Sequence, residues 1–314
     1  MTSYLGRRIV LMLPTLVLVS VMVFLIMRLV PGDVVSLMFA DLGYAPSLEA
    51  MRARLGLDRP LPQQYVAWVA DLVRGNLGQS LWTQRTVVSL VAERLPVTLE
   101  LSLLAIAFGI VYGMATGLVA AVWQDSWIDM VLRGIAVAFL SLPTFWLGTL
   151  AIVLPSLFLG WSPSIQLVPL TEDPLGHLAQ FALPAVILGT HLGAPLMRMG
   201  RAMMLEVLRQ DYIRTAFAKG LDGSRVVLVH AVRNALIPVV TILGVQMGTV
   251  LAGSVVIESV FSWPGIGSLL FDSVSSRNYP VVLGILVLGS LVVIAANIAV
   301  DLVYMWLDPR IEIR

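Results

Sequence analysis

Six uncharged apolar windows follow one another along the chain: Ile9–Met27, Leu101–Gln124, Gly134–Gly160, Pro174–Met197, Asn234–Ile257 and Asn278–Val300. Each is close to or above the roughly 20 helical residues that cross a hydrocarbon core of about 30 Å. The third stays uncharged as far as Thr171, but Gly160, Trp161, Pro163 and Pro169 place its helix stop near Leu159. Polar periodicity returns only between the first and second windows, over Pro31–Pro96. There Ser47 is placed to cap a helix LEAMRARLGL, with Glu49 in its first turn and Gly56 at its stop. A proline turn follows, then an amphipathic helix with Tyr65, Trp68, Val69 and Leu72 on one face and Gly75 at its end. Such a small insert cannot bury a core alone and is expected to pack on the outer mouth of a bundle. The pattern predicts an all-α polytopic membrane protein with six spans.

Composition sharpens this reading. Hydrophobic residues make up 58%, charged residues 12%, and mean hydropathy is +0.91; soluble domains carry about twice that charge. A net charge of +1 offers no basic field for nucleic acid. Zero cysteines exclude disulfides, thiolate metal sites and a cysteine nucleophile. The first window follows Arg7 and Arg8, yet it is longer than a signal core, and MRLVPGD has no small-residue cleavage site; a retained span is expected.

Charge also sets an orientation. Gly160–Phe181 has no Lys or Arg, whereas 198–233 holds Arg198, Arg201, Arg209, Arg214, Lys219, Arg225 and Arg233. The positive-inside rule places the second loop in the cytoplasm, and with it both termini.

The side-chain inventory excludes most enzymes. There is no G-x-x-x-x-G-K-[ST] loop, and His177, His191 and His230 are far apart without an H-E-x-x-H pairing. Asp301 lies near the inner end of the last window, where it pairs with a neighbouring helix or serves transport. Glu258 ends the fifth window and is expected either to line the outer mouth or to meet water, and Glu100 is expected at an interface. The scarcity of midplane carboxylates weighs against an ion-coupled secondary carrier, which stays as the alternative class.

One interruption stands out, DYIRTAFAKGLDGSRVVLVHAVRN over Asp211–Asn234, with the only lysine, Lys219. Leu205, Leu208, Tyr212 and Ala216 recur at helical spacing, Gly220 is placed as a stop, Asp222-Gly223 signals a turn, and Ser224 can cap the next helix. The expected product is a helix–turn–helix knob in the cytoplasm, which docks a protein or an anionic lipid surface.

At these residues the chain resembles the permease subunits of ABC importers in the peptide/nickel family, and within it the first, "B-type" permease. RLVPGD, LGLDRPLPQQYVAW, GNLGQS, ERLPVTLEL, LPTFWLG, DYIRTAFAKGL, HAVRNALIPVVT, ESVFSWPGIG and LDPR occur in the family's order over almost the whole chain. The resemblance implies a type I importer permease fold divided as 1–30, an extracytoplasmic insert 31–96 and a core 97–314 whose coupling loop is 198–233. It implies that Asp211, Tyr212, Arg214, Thr215, Ala216, Lys219, Gly220 and Leu221 form the EAA-type coupling helix seated on an ATPase. Arg214 stands where the general consensus has glutamate, and Asn76 where many relatives have aspartate. Gln246 and Glu258 are candidates for the pathway or outer gate. Expected partners are a second, C-type permease, two ABC ATPases that bind ATP and Mg, and a solute-binding protein, with no cofactor in this chain itself. A prokaryotic inner membrane and di- or oligopeptide cargo are implied, with nickel or another small solute as the alternative; the insert either docks the binding protein or covers the pathway mouth.

Overall fold

The computed structural model describes residues 2–29, 52–53, 56–164 and 166–307. Ser47, Arg310 and Arg314, and the side chain of Asp301, fall outside the described residues. The fold is all-α: α1 Thr2–Leu29, α2 Leu61–Val73, α3 Val87–Val122, α4 Trp127–Ser141, α5 Thr144–Leu159, α6 Pro174–Leu208, α7 Asp211–Ala218, α8 Val232–Val260, α9 Ile266–Ser275 and α10 Tyr279–Leu307. Local chemistry sets several of these ends. The Ser126 hydroxyl accepts from the Asp129 N–H at the start of α4, and the Asp173 carboxylate accepts from the Gly176 N–H at the start of α6. Gly160 closes α5 in the left-handed conformation, φ 63, where the sequence placed its stop.

Among the described residues, Val87–Val122, Pro174–Leu208 and Tyr279–Ala299 are long and apolar enough to cross a membrane. Trp127–Ser141 and Thr144–Leu159 reach that length and apolarity only as a pair bent by 100°, a broken span or a re-entrant loop, while α1 and α8 carry shorter apolar stretches, Pro14–Leu29 and Gly248–Val260. The third apolar window is therefore not one straight helix. Pro143 pushes Leu142 out of helical geometry, to ψ 127, and takes φ −62 and ψ 138 itself. The start of the second crossing also moves: α3 begins at Val87 and carries Pro96 inside it, so the last ten residues of the expected insert are helix.

Residues 1–96 with 268–294 form one compact unit. Its core gathers Phe24, Met27, Tyr279, Val282 and Leu283, and Tyr65 and Trp68 of α2 pack against them. Two of the four residues read as the amphipathic face, Tyr65 and Trp68, make this contact. Gly56 and Gly75 end their segments with paired reverse bonds, Leu57 N–H to Arg52 O and Asn76 N–H to Asp71 O being the wider of each pair.

Residues 97–267 with 295–314 form the second unit. Its core joins α3, α6 and α8 through Leu101, Phe181, Leu188, Leu192, Leu196 and Ile257. Glycine makes the closest contact. Gly109, Gly113 and Gly117 recur every four residues on α3 and meet the backbone of Gly189, Gly193 and Met197 on α6 in turn. A Cβ at Gly113 would lie 2.6 Å from the Gly193 carbonyl oxygen, and one at Gly189 would lie 2.6 Å from the Ala105 oxygen. Backbone touches backbone over two turns, which in lipid supplies the packing that hydrophobic exclusion cannot.

Candidate functional site

The knob after α6 is built from residues that satisfy one another. α6 runs on to Leu208, so Arg198 and Arg201 belong to it, and the connecting element begins only at Arg209. The stripe Leu205–Leu208–Tyr212–Ala216 is accordingly broken at Arg209–Gln210 rather than continuous. Leu205, Leu208 and Ala216 do share one core, with Met204, Ile213, Val226 and Ala231 at its centre. Ile213 is the buried residue of α7, at 1% exposure, and Tyr212 faces outward at 43%. The Asn234 amide donates to the Tyr212 hydroxyl at 2.8 Å, tying α7 to the start of α8. Sequence spacing missed Ile213 because α7 starts a new helical phase after the break.

Gly220 ends α7 with a complete Schellman arrangement. Its N–H donates to Phe217 O at 2.9 Å, and the Leu221 N–H donates to Ala216 O at 3.3 Å. Gly220 has φ +77, and nothing lies within 4 Å of a Cβ built there. The need for glycine is therefore conformational and not spatial. The expected cap on the following segment is corrected: Asp222, not Ser224, is the cap, and its carboxylate accepts from both the N–H and the hydroxyl of Ser224. Those bonds, the Ser224 hydroxyl first, hold the Asp222 carboxyl below its usual range. One helical turn, Gly223–Arg225, then widens into a π segment, Val226–Ala231, that feeds α8.

Asp211, Tyr212, Arg214, Thr215, Ala216, Lys219, Gly220 and Leu221 thus sit on one folded element. Asp211 pairs with Arg214 at 3.6 Å with both side chains mostly exposed, a contact worth little by itself. Thr215 donates to Asp211 O at 2.9 Å. Phe217, Leu228 and Val229 are exposed at 49%, 59% and 55%, so the knob offers apolar side chains among cations, as a docking element would.

Gln246 and Glu258 are not part of this element. Gln246 is half-buried on α8, and twelve helical residues set it about 18 Å from Glu258 along the axis. The expectation for Glu258 is corrected: it neither meets water nor lines an open mouth. At 0% exposure it accepts from the Thr98 hydroxyl at 2.7 Å and the Gly267 N–H at 2.7 Å. A Cβ on Gly265 would collide with its carboxylate, so the WPGIG turn is shaped around this side chain. Glu258→Ala removes the acceptor from at least two buried donors, each costing about 1–3 kcal/mol when left unmade. A lowered unfolding midpoint in detergent, with partial recovery in Glu258→Gln, is the expected result; a wild-type midpoint in the alanine variant would refute this role.

Two part-buried contacts between residues far apart in sequence escaped the sequence reading. Glu100 is bound to His177 at 2.6 Å, while the other ring nitrogen of His177 faces Val168 O, also at 2.6 Å. Both ring nitrogens of His177 thus face oxygen atoms. Asp129, at 0% exposure, receives Arg201 in a two-pronged contact, Nε to Oδ1 at 2.8 Å and Nη2 to Oδ2 at 2.6 Å. Arg133 and the Asp125 N–H complete its shell. Pairs far apart in sequence leave no periodic signal.

The described residues form an all-α, multi-pass membrane-type fold with an apolar-and-basic knob between two of its long helices. The chain belongs to the family described as binding-protein-dependent transport system inner membrane component, matched over residues 113–313, within the peptide/nickel permeases of bacterial ABC importers; the family's N-terminal companion matches residues 1–102. It is 43% identical over 333 residues to the di/tripeptide transport system permease protein DppB of Pseudomonas aeruginosa (strain UCBPP-PA14), covering 99% of each chain. It is 40% identical over 314 residues to the glutathione transport system permease protein GsiC of Escherichia coli (strain K12), covering 100% of each. The inward-facing MetNI methionine ABC transporter structure superposes with a TM-score of 0.55 at 19% identity, over 70% of this chain and 97% of that one, which is a likeness of fold. As in these relatives, the chain is the membrane component of its system and not its ATPase.

Proposed function

We propose that the chain forms one half of the pathway of an ATP-driven peptide importer and takes its driving force through the Asp211–Leu221 knob. The observation that carries this reading is the match to a di/tripeptide permease over 99% of both chains. A second, C-type permease supplies the other half of the pathway, two ATPases bind ATP and Mg, and a solute-binding protein delivers cargo at the outer face. The chain crosses a bacterial inner membrane six times with both termini and the knob in the cytoplasm, in keeping with the basic residues of 198–233. The 31–96 segment lies outside.

Coupling of this kind is a population shift. Moving a permease from 1:99 to 99:1 between inward- and outward-facing states takes about 5.5 kcal/mol of differential binding by the ATPases. A knob that flexes cannot transmit such a difference. The Schellman turn at Gly220, the Asp222 cap and the Tyr212–Asn234 bond together hold α7 rigidly on α8.

Gly220→Val forces a β-branched residue into φ +77, a strain of about 1–3 kcal/mol borne by the knob alone. The variant is expected to insert normally but to lose ATPase co-purification. Normal co-purification would remove the knob from coupling, whereas loss of lipid binding with intact co-purification would make it a membrane anchor. Proteoliposomes holding both permeases and the ATPases should take up a labelled dipeptide only with ATP and the binding protein. Uptake driven by an ion gradient in this chain alone would overturn the whole reading.

A further inference from the structure

Within the unit formed by residues 1–96 with 268–294, the end of α1, the face of α2 and the start of α10 enclose a cavity of about 270 Å³. That is near the lower end of small-ligand pockets, roughly 300–1,000 Å³. Its wall is unlike the rest of the unit. Arg28 lies 5.4 Å from the Phe24 ring centroid and 5.2 Å from that of Tyr279, and these two rings are its contacts. Among the described residues no carboxylate pairs with it, although the guanidinium is half-buried. A guanidinium beside two rings and without a carboxylate partner among the described residues can turn its N–H fork to an oxyanion, and a charge left unmatched in a partly desolvated place is costly.

The opposite chemistry is also present. Gln64 lines the same cavity, and its Nε2 donates to Leu57 O at 3.2 Å and to Arg59 O at 2.7 Å. Two carbonyl partners fix which way the amide points. Its Oε1 is buried and has no hydrogen-bond partner among the described residues. Asp71 and the exposed Arg59 stand on the same wall. The site therefore sets two cationic side chains, Arg28 and Arg59, beside the Asp71 carboxylate.

We infer that this cavity binds a small zwitterion, its oxyanion on Arg28 and Arg59 and its N–H donor on Asp71. Two sources carry this chemistry: the phosphoethanolamine headgroup of a membrane lipid and a soluble amino acid or dipeptide. The rings of Trp68 and Tyr279 suit either, since they supply apolar area beside the charges.

The test uses the purified full-length chain in detergent after delipidation. Three probes are titrated by native mass spectrometry: dioleoyl phosphatidylethanolamine, soluble glycerophosphoethanolamine, and dialanine. Wild type is expected to retain at least one of them, and Arg28→Gln and Arg59→Gln are each expected to bind it about tenfold more weakly. Arg59 is exposed, so its variant keeps the test valid if Arg28→Gln folds poorly. Binding of the lipid alone identifies a headgroup site, and binding of a soluble probe identifies a solute site; both support the inference. Retention of none by wild type, or equal retention by both arginine variants, overturns it. Neither result touches the ATPase-coupling role of the knob.

Discussion

Gly113→Leu is expected to give a chain that reaches the membrane but does not hold α3 against α6. The Gly193 carbonyl oxygen and the Leu196 Cβ would lie 2.6 Å and 2.7 Å from the first added carbon, and the oxygen belongs to a backbone that cannot rotate aside. Overpacking a tight contact costs about 1–3 kcal/mol where side chains yield, and more where they do not. Here a leucine must also place further carbons beyond that Cβ, so a loss of about 3 kcal/mol or more is expected. The whole crossing would separate, because Gly109, Gly117 and Gly189 touch the same backbone rows. Gly134→Ala supplies the control. Nothing lies within 4 Å of its Cβ, and helix propensity favours alanine by about 1 kcal/mol. Fluorescence-detected size exclusion after heating should show Gly113→Leu aggregating well below wild type and Gly134→Ala at or above it. If the leucine variant elutes like wild type after the same heating, the backbone contact does not hold these helices together.

The sequence carried the periodic features well and the pairwise ones poorly. Tyr65 and Trp68 were placed on the packing face of α2 because a 3.6-residue period states which face is apolar. Gly160 and Gly220 were placed as stops because few residues other than glycine tolerate positive φ at a helix end. Pro143 is one of several prolines that permit a kink, and window length cannot single out the one with the 100° bend, since an uncharged run reads as one span whether or not a proline divides it. Asp222 rather than Ser224 caps the segment after the knob because the chain turns one residue pair earlier than the turn signal suggested. Glu258 shows the clearest limit. A carboxylate at the end of an apolar window looks interfacial, and only the WPGIG turn folding back onto it reveals a buried acceptor.

Arg201 sharpens that limit, and its variants carry the second large effect. It was counted among the cations that set orientation, yet it is 17% exposed and engages a carboxylate with no exposed surface. Asp129→Ala leaves the guanidinium without its bidentate partner, and breaking a buried pair costs about 3–5 kcal/mol. Arg201 retains some access to water and Arg133 lies beside the same site, so the loss should fall near the lower end, about 3 kcal/mol. The Coulomb attraction itself does not account for this figure, because separating two charges from water opposes it. The double change Asp129→Leu with Arg201→Met should therefore recover more than half of the loss, since it leaves no isolated charge behind. Full recovery is not expected: the Asp125 N–H donates to Asp129 at 3.0 Å and would lose its acceptor, at about 1–3 kcal/mol. A double variant no more stable than Asp129→Ala would mean that the ion pair contributes through its own attraction. A single variant as stable as wild type would mean that α4 is held on α6 by apolar contacts alone. Because α6 leads directly into the knob, weakening its grip on α4 should also lower ATP-driven uptake at temperatures where the chain is still folded, a loss that Gly134→Ala should not share.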